Sequence, residues 1–269
     1  MDSPATRAVE LWPRSRAERA GIEALFDVGA VIEASPYPPS KFRLIGGQMV
    51  TLLIRSRGLE QAVAPRMSLD ADFGAFIPTV RGASLDEELA RRGYQWIEGR
   101  YRRALGDGLT AIIDLLIPAQ TGRRKRSKNV DGRELFETQG LADVLNNPGV
   151  ELELRGRGRG DERRTTLVLP DERGALLVKT HAWLDRSAGK DAGDVARCLE
   201  LCARAKVTKH DWSGPYASAR EELRGPLNEE FCRGGRGARA AVKELGLRDP
   251  DAIAARTTRL AALVRRVIG

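Results

Sequence analysis

Two carboxylates one residue apart, Asp70 and Asp72, stand in the run Ser68-Leu69-Asp70-Ala71-Asp72, within a stretch that alternates apolar and polar side chains from Leu69 to Ile77. Alternation at period two is the pattern of a half-buried strand, so Leu69, Ala71 and Phe73 are expected to pack inward while Ser68, Asp70 and Asp72 share the outer face. Two such carboxylates can clamp a hard divalent cation, for which magnesium is the natural choice. A third acid, Asp114, interrupts the apolar run Ala111-Ile112-Ile113-Asp114-Leu115-Leu116-Ile117, where an unpaired charge is expensive to bury and requires a metal or a cationic partner. Three carboxylates on adjacent strands suit phosphoryl transfer of the two-metal type, in which one ion activates a hydroxyl and the other holds a triphosphate and its leaving pyrophosphate. Gly46-Gly47 lies between a short apolar strand and a helix, where bare backbone and a helix N-terminus can approach phosphate oxygens closely.

The elements that must position these groups follow from spacing and breakers. Arg16 to Ala34 carries helical apolar spacing and stops at Ser35-Pro36-Tyr37-Pro38-Pro39. Phe42 to Ile45 reads as a strand, Gln48 to Arg57 as a helix, and Ser84 to Arg92 as a helix capped by Ser84 with Glu87 three residues on. Tyr94 to Ala104 and Thr110 to Ile117 are expected strands around Gly106-Asp107-Gly108, and Gln120 to Arg133 a mobile basic loop. A short helix near Leu141 and the strands Val150 to Leu154 and Thr165 to Leu169 follow. From Asp171 the pattern is helical: Glu172 to Asp185, Asp191 to Arg204, Ser218 to Arg224, Gly237 to Leu245 and Pro250 to Val267. The class is therefore α/β (α+β), with a mixed-sheet domain over 1–170 and a helical lobe over 171–269.

The 269 residues, 42% hydrophobic, suit a soluble protein with no membrane span, and the start Met1-Asp2-Ser3-Pro4 lacks a secretion signal, so a cytoplasmic location is expected. Three cysteines, Cys198, Cys202 and Cys232, suit reduced thiols. Cys198 and Cys202, with His210 or His181, have zinc-ligand chemistry, but their i, i+4 spacing reads better as core. The net charge of +8 is clustered: Arg123, Arg124, Lys125, Arg126 and Lys128; then Arg155, Arg157, Arg159, Arg163 and Arg164; then Arg233, Arg236 and Arg239. Clustered cations between glycines point to a polyanionic partner.

The ordered set Leu44-Ile45-Gly46-Gly47-Gln48, Ser68-Leu69-Asp70-Ala71-Asp72, Ile113-Asp114-Leu115-Leu116-Ile117-Pro118, and Leu176-Leu177-Val178-Lys179 through Arg186 to Lys190-Asp191-Ala192-Gly193-Asp194 resembles the polymerase-beta-type nucleotidyltransferase fold. Within it, the set resembles the AbiEii-type toxin nucleotidyltransferases, including the MenT-type toxins, over roughly residues 40 to 205. The resemblance implies an NTP substrate, two Mg2+ ions on Asp70, Asp72 and Asp114, and nucleotide contacts from Gly46, Gly47, Ser68, Lys179, Arg186 and Asp194. It adds Lys179 and Asp191 to the catalytic set. It further implies RNA, notably the 3′ end of tRNA, as acceptor and a separately encoded antitoxin as partner. The basic residues Arg123, Arg124, Lys125, Arg126, Lys128, Arg155, Arg157 and Arg159 agree with a large RNA.

Bland readings stand beside these. Lys179 could snorkel over Trp183, and Asp191 or Asp194 could cap a helix. Gly47 and Asp70 also lie farther apart than is usual in the broader fold, which leaves the placement of the glycine turn open. A small-molecule or protein hydroxyl is the alternative acceptor, though a cationic antibiotic would want an acidic pocket and this chain offers mostly arginine. A catalytically silent nucleic-acid or partner binder is the alternative of another class.

Overall fold

Strand β1 (Arg7–Leu11) leads into helix α1 (Arg16–Glu33), whose start is fixed by Ser15 accepting the Glu18 N–H at 3.1 Å and whose apolar stripe, including Ile22, Leu25 and Phe26, is buried. The computed structural model describes residues 7–66, 68–106, 108–119, 127–157 and 161–269. Next come β2 (Phe42–Ile45), α2 (Gly46–Ser56), β3 (Asp70–Ala75), and two short helices, α3 (Ile77–Gly82) and α4 (Leu85–Arg91). Then follow β4 (Gln95–Ile97), β5 (Arg100–Gly106), β6 (Leu109–Pro118), β7 (Ser127–Val130), β8 (Arg133–Thr138), α5 (Leu141–Asn146), β9 (Val150–Arg157) and β10 (Glu162–Leu169). The remainder is helical: α6 (Glu172–Arg186), α7 (Gly189–Arg204), α8 (Ala217–Phe231), α9 (Arg236–Glu244) and α10 (Pro250–Val267). The class is mixed α/β, and the chain divides into two compact units, Met1–Pro170 and Asp171–Gly269. No helix among the described residues is long and apolar enough to cross a membrane.

The first unit holds a seven-stranded mixed sheet with the path β2-β3-β6-β5-β4, and the β7–β8 hairpin joins it where β8 runs parallel to the end of β6. From Ala111 to Ile117 the central strand β6 is apolar on both faces except at Asp114, as a strand covered on both sides requires. A second sheet has the order β1-β9-β10. A buried polar cluster joins α1 to both sheets. Arg163 of β10 meets Glu23 and Asp27 at 3.1 Å each, Arg103 of β5 also pairs with Asp27, and the Tyr94 hydroxyl donates to Asp27 at 2.8 Å. Burial, reinforced by the Asp27 charge, pushes the Tyr94 hydroxyl well above its ordinary pKa, so it stays a donor.

Several local expectations are corrected. Ser84 adopts a left-handed conformation (φ 46°) and makes no capping hydrogen bond, so α4 starts without the expected cap. Residues 127–133 form the β7–β8 hairpin rather than a loop, because Lys128 pairs with Leu135 and Val130 with Arg133. The strand expected from Tyr94 to Ala104 is split at Glu98-Gly99, both at positive φ, into β4 and β5. Helix α8 continues past Gly225-Pro226 because Leu223, Leu227 and Phe231 bury one face, and that packing outweighs the local breakers. Leu69 is 47% exposed instead of packed inward, since β3 begins only at Asp70.

Candidate metal centre

The sheet register brings the three acids together. β3 and β6 are parallel with Asp72 opposite Asp114, and Asp70 lies two residues before Asp72 on the same face. One carboxylate oxygen from each of Asp70, Asp72 and Asp114 lies within 4.8 Å of the others, the spacing a metal ion could bridge. Ala71 and Phe73 point the other way and are fully buried, which fixes β3 so that its acids cannot turn inward.

Asp114 is the most buried of the three, at 6% exposure. Its Oδ2 pairs with Arg100 at 3.1 Å, and its Oδ1 is buried with no hydrogen-bond partner. Burial raises the Asp114 pKa above the usual carboxylate value; the Arg100 charge opposes that rise and the Asp70 charge adds to it. A buried carboxylate oxygen without a donor is costly, and a cation among all-oxygen ligands removes that cost. The donor set therefore fits a hard divalent cation.

The glycine turn abuts the same acids. Ile45 pairs with Asp72 across β2 and β3, and the next residue, Gly46, sits at φ 77° with Asp72 where a Cβ would be. A side chain at Gly46 would be strained and would collide with that carboxylate. At Gly47 a Cβ would come within 2.6 Å of both Ser68 Oγ and an Arg66 nitrogen. The start of α2 thus brings bare backbone against Ser68 and Asp72, and its N-cap residue, Ile45, makes no side-chain cap.

The long segment between Gly47 and Asp70 is fastened back onto α2. Gln48 Nε2 donates to the Ser68 carbonyl at 2.7 Å, and Thr51 Oγ1 donates to the Arg66 carbonyl at 2.6 Å. Ser68, 6% exposed, then donates its hydroxyl to Asp70 Oδ1 at 2.7 Å.

No protein-family model matches this chain, and no curated protein matches it. Among solved structures it is similar to the Rhodothermus marinus CdnE c-UMP-AMP synthase with Apcpp and Upnpp. That likeness has 10% identity and a TM-score of 0.27, covering 94% of this chain and 96% of that one.

The second unit holds the other expected site residues. Lys179 Nζ pairs with Asp194 Oδ2 at 2.8 Å, and Arg197 reaches Asp194 Oδ1 at 3.4 Å; Asp194 is fully buried. Arg186 grips Asp191 with Nε at 3.0 Å and Nη2 at 2.8 Å, the bidentate geometry of a strong pair. The N-cap of α7 is Ala188, so neither aspartate caps that helix. Lys179 is buried instead of snorkelling. Cys198 and Cys202 are fully buried, and burial holds both thiols well above their ordinary pKa, which suits inert core residues.

Of the expected RNA-contact residues, Arg123, Arg124, Lys125, Arg126 and Arg159 lie outside the described residues. Lys128 is exposed on β7. Arg155 is bidentate to Glu153 at 2.8 Å, and Arg157 lies over the Trp12 ring at 5.8 Å. Arg163 is withdrawn into the Glu23–Asp27 cluster. Sequence reasoning named no partner for Asp114, although it required one: Arg100 carries no motif, and only that need pointed to it. Thr51 and Arg66 likewise had no signal, because their roles arise from a loop returning to a helix.

Proposed function

We propose that the chain is a metal-dependent nucleotidyltransferase that transfers a nucleoside monophosphate from an NTP to an RNA hydroxyl. The observation that carries this reading is the unpartnered Oδ1 of Asp114 beside Asp70 and Asp72, with Asp72 against the side-chain-free start of α2. Asp70, Asp72 and Asp114 would hold Mg2+, which lowers the pKa of the acceptor hydroxyl and offsets charge on the phosphates. The α2 N–H groups at Gly46 and Gly47, with Ser68, bind the triphosphate. Asp114, buried and raised in pKa, takes the proton of the attacking hydroxyl. The hydroxyl oxygen forms a bond to the α-phosphorus, the α–β bridging bond breaks, and pyrophosphate leaves with that electron pair.

The finer assignment rests on the motif resemblance: the 3′ end of tRNA as acceptor, a toxin role countered by an antitoxin protein, and a cytoplasmic setting. Basic surface residues such as Lys128 and Arg157 agree with a nucleic-acid acceptor. The same resemblance gives Lys179, Arg186 and Asp194 nucleotide-binding roles and Asp191 a catalytic one. Incubating the protein with each labelled NTP, Mg2+ and total tRNA tests the proposal. Label on tRNA supports it; no labelled RNA with any of the four nucleotides contradicts it.

A further inference from the structure

After β1 ends at Leu11 the chain passes through Trp12, Pro13 and Arg14 before α1 begins. Leu11 and Arg14 line a pocket of about 200 Å³ whose other walls come from α1, α2 and the segment entering β3. Its lining residues include three arginines, Arg14, Arg55 and Arg66, and a single acid, Glu18. Both Glu18 oxygens are engaged inside the unit, one by Arg55 at 3.0 Å and the other by the Arg14 backbone N–H at 2.8 Å. The pocket is thus a cationic recess. At one end it reaches Ser68, the residue whose hydroxyl donates to Asp70. The lining thus extends from the end of β1 to the serine that holds Asp70.

Trp12 stands in the chain between two lining residues, Leu11 and Arg14. It is 48% exposed, the largest value among the exposed large hydrophobic residues described, with the Arg157 guanidinium 5.8 Å from its ring centre. A tryptophan held in solvent beside an arginine offers a π-face and a cation, the pair on which an unpaired base stacks. Two residues of chain span at most about 7 Å, so one short stretch of polynucleotide can touch both Trp12 and Arg14.

We propose that this pocket is the acceptor subsite for the end of a single-stranded polynucleotide. A base stacks on Trp12, the adjoining phosphate pairs with Arg14, and the terminal ribose hydroxyl passes Ser68 toward Asp70 and Asp72. The assignment rests on the nucleotidyltransferase reading and extends it from the donor to the acceptor. The phosphates of the NTP share this chemistry, but a triphosphate has no use for an exposed aromatic platform, and the α2 N-terminus already faces the acids.

The test uses the full chain and two probes: a short fluorescein-labelled single-stranded RNA in EDTA, read by anisotropy, and a non-hydrolysable NTP with Mg2+, read by calorimetry. Trp12→Ala should weaken RNA binding by about tenfold and Trp12→Phe should largely restore it, as stacking requires. Arg14→Gln should weaken RNA binding and lower the salt-dependence slope by about one. Both variants should bind the nucleotide analogue as the parent does, with unchanged thermal melting. The proposal is overturned if the parent does not bind single-stranded RNA, if Trp12→Ala binds it equally well, or if the variants lose nucleotide affinity in step with RNA, which would make the pocket a donor site. RNA binding that depends on Trp12, without label transfer from any NTP, would remove the transferase reading and leave the subsite standing.

Discussion

Asp114 in the first unit and Asp194 in the second are both buried aspartates, yet their charges are balanced in opposite ways. Asp194 has a cation on each oxygen, Lys179 at 2.8 Å and Arg197 at 3.4 Å. Asp114 has Arg100 at 3.1 Å on one oxygen and no hydrogen-bond partner on the other, with Asp70 and Asp72 close by. A satisfied buried ion set holds a fold together, whereas a like-charged set with an open oxygen is strained until a cation enters. The difference sets an ion set balanced within the fold beside one that leaves a carboxylate oxygen open.

The largest effect should come from breaking the strained set. Asp72→Ala should lower nucleotide transfer by on the order of a thousandfold while leaving the melting temperature nearly unchanged, because a partly exposed side chain contributes little to the core. Full activity in this variant would remove the three acids from the mechanism. Breaking the satisfied set should do the reverse to stability. Asp194→Ala leaves Lys179 and Arg197 buried without their carboxylate, at a cost of about 3–5 kcal/mol read by urea unfolding. The paired replacement Lys179→Met with Asp194→Leu should recover most of that loss. If Asp194→Ala unfolds like the parent, the ion set is not structural.

A smaller change is expected at Arg100. Arg100→Gln removes the cation that competes for Asp114, so Mn2+ should bind a few-fold tighter in the absence of nucleotide. Weaker Mn2+ binding would show that Arg100 shapes the site instead of competing for it. The smallest effect concerns Glu200 in α7. Burial pushes its carboxyl up, but the hydrogen bond from Arg259 and the charge of Arg256 outweigh that and leave it below the ordinary 4.5. A depressed folded pKa means that the unfolded chain binds the proton first. The stabilisation by these arginines is therefore complete above about pH 4.5 and fades as pH falls through the depressed value. Glu200→Gln should flatten that acid limb of the stability curve; an unchanged limb would mean that other carboxylates control it.

What the sequence disclosed follows from how local each signal is. The outward Asp70–Asp72 pair was legible because strand alternation is set by the residues themselves, and Asp114 because a lone acid in an apolar run stands out. Helices α1, α6, α7 and α10 announced themselves through apolar spacing and breakers. Strand β1 did not, since Arg7–Leu11 becomes a strand only through parallel pairing with β9, some 145 residues away in register (Arg7 with Leu152). The inward turn of Arg163 was equally invisible, because its partners Glu23 and Asp27 come from a distant helix. The arginines between Arg155 and Arg164 read as one kind of surface, and the fold gave them different work: Arg155 balances Glu153, Arg163 clamps α1, and Arg157 lies over Trp12.

Mn2+ binding followed by electron paramagnetic resonance, comparing the parent with Asp72→Ala and with the triple variant Asp70→Asn, Asp72→Asn, Asp114→Asn, tests most directly whether these three carboxylates form a metal centre. The account predicts that the parent binds Mn2+, that Mg2+ displaces it, and that Asp72→Ala weakens binding while the triple variant abolishes it. Retention of parent-like Mn2+ binding by the triple variant, or no Mn2+ binding by the parent, would contradict it.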